Sequence, residues 1–179
     1  MRVLIDACVL FPTVMREVVL GCAKAGLFEA KWSPRILEEW ARGTIKLGPE
    51  AEVFARGEIA TLAIDFPNAH VPNYDGLMQR LWLPDPDDIH VLAAAVSGSC
   101  DVILTSNTKD FPRDILEEEG LARWDPDGFL CMLHDADSAA VQAVGDVVLA
   151  QANALSPDPW EMRKLMKKAR LPRLGKRLA

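Results

Sequence analysis

Residues 83–112 read LPDPDDIHVLAAAVSGSCDVILTSNTKDFP, and the succession of element types within them decides the fold. Asp85 and Pro86 have the chemistry of a helix cap and a first helical residue, and Asp88 falls three positions after the cap, a capping-box-like place. The nearly all-apolar run that follows reads as a buried helix ended by Gly98. Asp101–Thr105, DVILT, is then a short continuous apolar run, the pattern of a strand buried on both faces rather than one. The loop SNTKDFPRD leaves that strand.

The same alternation extends in both directions. Upstream, MRVLIDACVLF is a second apolar run, read as a buried strand closing at Asp6. Pro12 opens a helix through Cys22 and Ala25 that Gly26 stops. Ser33 and Pro34 form an N-cap and first helical residue for a helix carrying Ile36, Leu37, Trp40 and Ile45 on one side. A further helix is predicted from about Glu50 to Asp65, and a short strand over Ala69–Val71. Downstream come a helix near Ile115–Glu119, a short strand LARW and a helix from about Pro126. Residues 134–152 read as helix, broken by Pro157 and Pro159 from a final basic helix. Strands alternating with helices predict an α/β fold with a central, mainly parallel sheet flanked by helices. The division expected is 1–131 as the main domain and 132–179 as a helical C-terminal extension.

Composition bounds the rest. The chain has 179 residues, half of them hydrophobic, enough to bury a sizeable core. The longest apolar runs fall far short of the roughly 20 residues that cross a bilayer, and Met1 leads into a strand-like segment, so a cytoplasmic location is expected. Cys8, Cys22, Cys100 and Cys131 are scattered without zinc-ligand spacing and read as reduced thiols, mostly buried. The net charge of −6 hides an asymmetry: residues 156–179 carry +6, so the remainder carries −12. An acidic body repels nucleic acid unless bound metal neutralises part of it. The basic tail can supply attraction to RNA phosphates through Lys164, Lys167, Lys168, Arg170 and Arg173; the alternative is a solvated helix face.

In an open parallel sheet, ligands bind outside the carboxyl ends of the strands, which gives weight to acids at strand ends. Asp6 closes the first strand, where an ionised carboxylate is costly unless paired or metal-bound. Asn107 and Asp110 follow DVILT, and Asp85, Asp87 and Asp88 begin the apolar helix, with Asp88 placed to point inward. Glu38 and Glu39 lie on a helix that a crossover brings alongside. Each has a bland alternative, respectively a turn hydrogen bond, turn formers, a helix cap and a solvated face, but one shared site accounts for all four. Oxygen ligands without Cys or His indicate Mg²⁺ or Mn²⁺ and phosphodiester hydrolysis. His90, beside Asp88 on an apolar helix, reads as structural.

These motifs in this order resemble the PIN-domain ribonucleases, in particular the VapC-like toxins of type II toxin–antitoxin pairs. VLIDACVL, WSPRILEEW, LPDPDDIHVLAAAV, CDVILTSNTKDFP and DPDGFL carry the resemblance over about residues 1–131. It implies a PIN-like fold and a metal-dependent endoribonuclease. Asp6, Glu39, Asp88, Asn107 and Asp110 would bind the metal, with Asp6, Glu39, Asp88 and Asp110 catalytic and Asp85 and Thr105 supporting. Glu39 is preferred to Glu38 because the family's Glu directly precedes an apolar residue, here Trp40. The resemblance also implies an RNA substrate such as tRNA or rRNA, a cognate antitoxin and a homodimer. Many family members carry Asp where Asn107 stands, which removes one charge from the site. A haloacid-dehalogenase-like phosphatase would need Asp where Cys8 stands. The remaining alternative is a PIN-fold RNA-binding or scaffold module without activity, which would be expected to lack one of Asp6, Glu39 and Asp88.

Overall fold

Four short strands, β1 (Arg2–Ile5), β2 (Glu29–Lys31), β3 (Val102–Leu104) and β4 (Ala122–Trp124), form one sheet in the order β2-β1-β3-β4. The computed structural model describes Met1–Ala179, and every strand pair in it is parallel. β3 is buried throughout and β1 after Arg2, as continuous apolar runs in a covered parallel sheet require. Chain order reverses between β1 and β3: from β1 the chain first adds β2 on one side, then returns to add β3 on the other. That switch point opens a crevice at the carboxyl ends of β1 and β3.

The helices are α1 (Ala7–Leu10), α2 (Thr13–Lys24), α3 (Pro34–Gly43), α4 (Pro49–Asp65), α5 (Asp75–Met78), α6 (Ile89–Ser97), α7 (Arg113–Glu118), α8 (Pro126–Ala136), α9 (Ser138–Ala154), α10 (Met162–Lys168) and α11 (Pro172–Arg177). The α/β architecture expected from the alternation is therefore present, with helices covering the sheet and further helices at the C-terminus. Ser33 caps α3 by accepting from Ile36 N at 3.2 Å, and Asp85 accepts from Asp87 N at 2.9 Å ahead of a 3₁₀ turn at Pro86–Asp88. α6 buries His90 through Ala95 and packs on β1 and β3, its three alanines allowing the close approach.

The molecule forms two compact units. The first comprises Met1–Phe11 and Phe28–Trp124 and holds the whole sheet; the second comprises Pro12–Leu27 and Asp125–Ala179. Within the second, α2 packs on α8 and α9, and a Cβ at Gly21 would meet Val144 Cγ1 at 2.6 Å, so glycine permits that contact. Asp127, almost fully buried, accepts from Arg173 N, Arg173 Nε and Leu174 N at 2.9–3.1 Å and ties α8 to the start of α11.

Several local expectations change. β2 went unread because Glu29-Ala-Lys31 has no apolar run; only Ala30 is buried, and pairing with β1 alone makes it a strand. Ala69–Val71 forms one bridge, His70 to Trp32, because the next donor to Val71 O would come from residue 34, and Pro34 has no N–H and already opens the following helix. Ile45 is 53% exposed: α3 ends at Gly43 and the backbone tightens into a 3₁₀ turn, which rotates Ile45 off the buried stripe. The 134–152 helix is interrupted at Asp137, which leaves helical geometry and caps α9 through Ala140 N. The final basic helix is two helices, separated by Arg170 at φ 62 and by Pro172.

Candidate active site

Asp6 follows the last residue of β1, and its backbone N–H donates to Leu104 O at 3.1 Å on β3, which fixes it in the crevice at the switch point. Its side chain is 7% exposed. Oδ2 accepts from Thr105 Oγ1 at 2.7 Å and from the Cys8 thiol at 3.0 Å, so the buried carboxylate is held from both neighbouring segments through one oxygen. Thr105 also accepts from Asn107 N at 3.0 Å, which turns the loop after β3 back over the crevice. The family of hydrogen bonds around Thr105 thus positions both Asp6 and the loop.

Asp85, Asp88 and Asp110 come together from the start of α6 and from that loop: a carboxylate oxygen of each lies within 4.8 Å of the others. The Asn107 side-chain amide donates to Asp110 Oδ2 and, at 3.4 Å, to Asp88 Oδ2. Ligation through Asn107 Oδ1 therefore requires the amide to turn over. Burial pushes the Asp88 carboxyl up to about 6, with Asp6, Asp85 and Asp110 adding to the rise and His90 opposing it. The part of that rise owed to the acidic neighbours is what a cation at their centre would relieve.

Glu39 sits apart from that trio. Its Oε1 receives His90 Nε2 at 2.9 Å and Arg35 Nε at 3.1 Å. Burial works to raise the Glu39 carboxyl, yet the bonds and charges of His90 and Arg35 outweigh it and hold the group below its usual value. Glu38, by contrast, points to solvent-side partners, Arg42 at 2.7 Å and Arg56 at 3.0 Å, an ion-pair network joining α3 to α4. His90, 1% exposed, links Glu39 to the helix that Asp88 immediately precedes, a connection that the apolar setting of His90 in the sequence did not reveal. The Arg35–Glu39 pair was legible as an i, i+4 spacing; the Cys8–Asp6 contact had no signal beyond proximity.

The proposed RNA-binding cations all lie in the second unit. Lys164 pairs with Glu161 at 2.9 Å, Lys168 stands 4.8 Å above the Trp160 ring, and Arg173 is held by Asp125 and Asp127. Lys167 and Arg170 are exposed.

All-oxygen donors converging at the carboxyl ends of a parallel sheet define an α/β protein with a site suited to a hard divalent cation. Residues 2–109 match the family model described as PIN domain, and the chain belongs to that family. It is also similar to a Mycobacterium tuberculosis protein named "Putative ribonuclease VapC50", at 37% identity over 79 residues, covering 44% of this chain and 45% of that protein. The match thus spans less than half the length of the curated relative. No solved structure matches the chain significantly.

Proposed function

We propose that this protein is a metal-dependent endoribonuclease, the toxin of a toxin–antitoxin pair, hydrolysing phosphodiester bonds of RNA in the cytoplasm with Mg²⁺ or Mn²⁺. The observation that carries the reading is the meeting of Asp85, Asp88 and Asp110 beside the buried Asp6. Family membership and the similarity to a protein named as a ribonuclease support it. In this reading the nuclease domain is 1–131, the helical extension 132–179, and the chain works as a homodimer restrained by a cognate antitoxin.

Asp6, Glu39, Asp88, Asn107 and Asp110 would hold the cation, with Asp85 supporting. When bound, it would supply positive charge against the scissile phosphate and lower the pKa of the attacking water. Thr105 and Cys8 fix Asp6 through Oδ2 and leave Oδ1 for ligation. Ligation would need Asp88 ionised, so its raised pKa would couple cation binding to proton loss as pH falls toward 6. His90 and Arg35 hold Glu39 ionised and oriented.

The test is cleavage of total RNA by the purified chain with Mg²⁺ or Mn²⁺, against EDTA and against Asp6→Asn. Discrete fragments lost in both controls are expected. Intact RNA with either metal, together with a melting temperature that neither metal moves, would overturn the proposal.

A further inference from the structure

Between α7 and β4 lies a second cleft, about 240 Å³, that the acidic site does not use. Arg113, Glu117 and Leu116 line it from α7, and Leu121, Arg123 and Trp124 from β4. Leu116 and Leu121 are buried, while Trp124, on the edge strand β4, is 38% exposed. Two arginines against one glutamate give the lining a net positive charge inside a body that is otherwise strongly acidic.

Arg123 makes this more than a surface dent. One of its terminal nitrogens donates to Thr108 O, but its Nε is buried with no hydrogen-bond partner. A desolvated guanidinium N–H without an acceptor costs free energy, and such groups are rare unless a ligand or water completes them. Arg113, at the mouth, is exposed and forms no ion pair. Nε itself is closed to the cleft, so an anion there meets Arg113 and the outer end of Arg123, and guanidinium matches phosphate in that role.

The cleft also adjoins the acids through bonded neighbours. Trp124 is in register with Leu104, and its carbonyl accepts from Thr105 N at 3.1 Å, while Thr105 holds Asp6. Thr108, gripped by Arg123, belongs to the loop that presents Asn107 and Asp110. We propose that this cleft binds one unpaired nucleotide of the RNA strand flanking the cut, its phosphate on Arg113 and Arg123 and its base against Trp124. The proposal rests on the ribonuclease reading and adds a phosphate-and-stacking subsite on the sheet-bearing unit itself. An exposed aromatic favours an unpaired base because a base within a duplex has no free face to stack.

The experiment uses the full chain on the Asp6→Asn background with Mn²⁺, which removes cutting, and a fluorescently labelled short single-stranded RNA at several salt concentrations. Arg113→Ala is expected to weaken binding several-fold and to lower the slope of log K against log salt by about 1. Trp124→Ala is expected to weaken it about tenfold with the slope unchanged. Both side chains are exposed, and unchanged melting temperatures exclude misfolding as the cause; Arg123→Lys, which keeps the charge but loses the fork, should fall between. Wild-type affinity in both alanine variants would overturn the cleft proposal. Metal-dependent cutting by the unmodified chain, measured in parallel, reports on the ribonuclease reading separately. Absence of both cutting and RNA binding would overturn the two together.

Discussion

Thr105 Oγ1 donates to Asp6 Oδ2 at 2.7 Å, joining the end of β3 to the end of β1 across 99 residues of sequence. Both groups are buried, and the same hydroxyl oxygen accepts from Asn107 N, so one side chain sets the carboxylate and the loop together. Thr105→Val keeps the shape and removes the hydroxyl. It should cost about 1–3 kcal/mol of stability through unpaired buried groups and weaken Mn²⁺ binding about 10–100-fold. Thr105→Ser should recover most of both. Denaturant melts and the Mn²⁺-dependent rise in melting temperature read the two effects; a valine variant that behaves like the wild type in both would remove Thr105 from its positioning role.

The Asp88 carboxyl, raised from 3.8 to about 6, makes the metal-free chain pH-sensitive in a definite direction. The folded state binds the proton more tightly than the unfolded chain does, so this group's stabilisation is complete below about pH 4 and is lost as pH rises through about 6. Metal binding needs the ionised form and should strengthen over the same interval. Thermal melts from pH 4 to 8, with and without Mn²⁺, should show opposite trends, and Asp88→Asn should flatten both. Parallel curves with and without metal would contradict the coupling.

His90 and Glu39 meet at 2.9 Å in a setting where His90 is 1% exposed. His90→Leu fills the space without a donor, so Glu39 keeps only Arg35 and loses its fixed orientation. The expected result is Mn²⁺ affinity lowered about 10–100-fold, with His90→Gln, which retains a donor, intermediate. A purely structural histidine would lower the melting temperature in both variants while leaving the metal titration midpoint where it was.

In the second unit, Asp127 holds three donors of Arg173 and Leu174. Asp127→Ala leaves two backbone N–H groups at the start of α11 without their acceptor, while the exposed Arg173 guanidinium keeps Asp125. Leaving these backbone donors unpaired costs about 1–3 kcal/mol. Hydrogen exchange should quicken over residues 172–178 first, because α11 docks on α8 through this contact. Asp127→Asn, which still accepts through one oxygen, should lose less. Unchanged exchange over α11 in the alanine variant would show that apolar packing of Leu174 and Leu178 suffices.

Much of this protein is written locally. The apolar runs of β1 and β3, the Ser33 and Asp85 caps, the stop at Gly98 and the acids at the strand ends follow from side-chain chemistry within a few residues, where propensity and periodicity act. From these the sequence determined an α/β fold and named a set of acids for one site. Tertiary structure alone decided the rest. It made a strand of Glu29-Ala-Lys31 by pairing and turned Ile45 out to solvent. It drew Asp85, Asp88 and Asp110 within 4.8 Å of one another while giving Glu39 to His90 and leaving Glu38 to the arginines. Burial and charge separation act through space, with strengths set by distance and by the water excluded, and neither quantity exists until distant segments have packed.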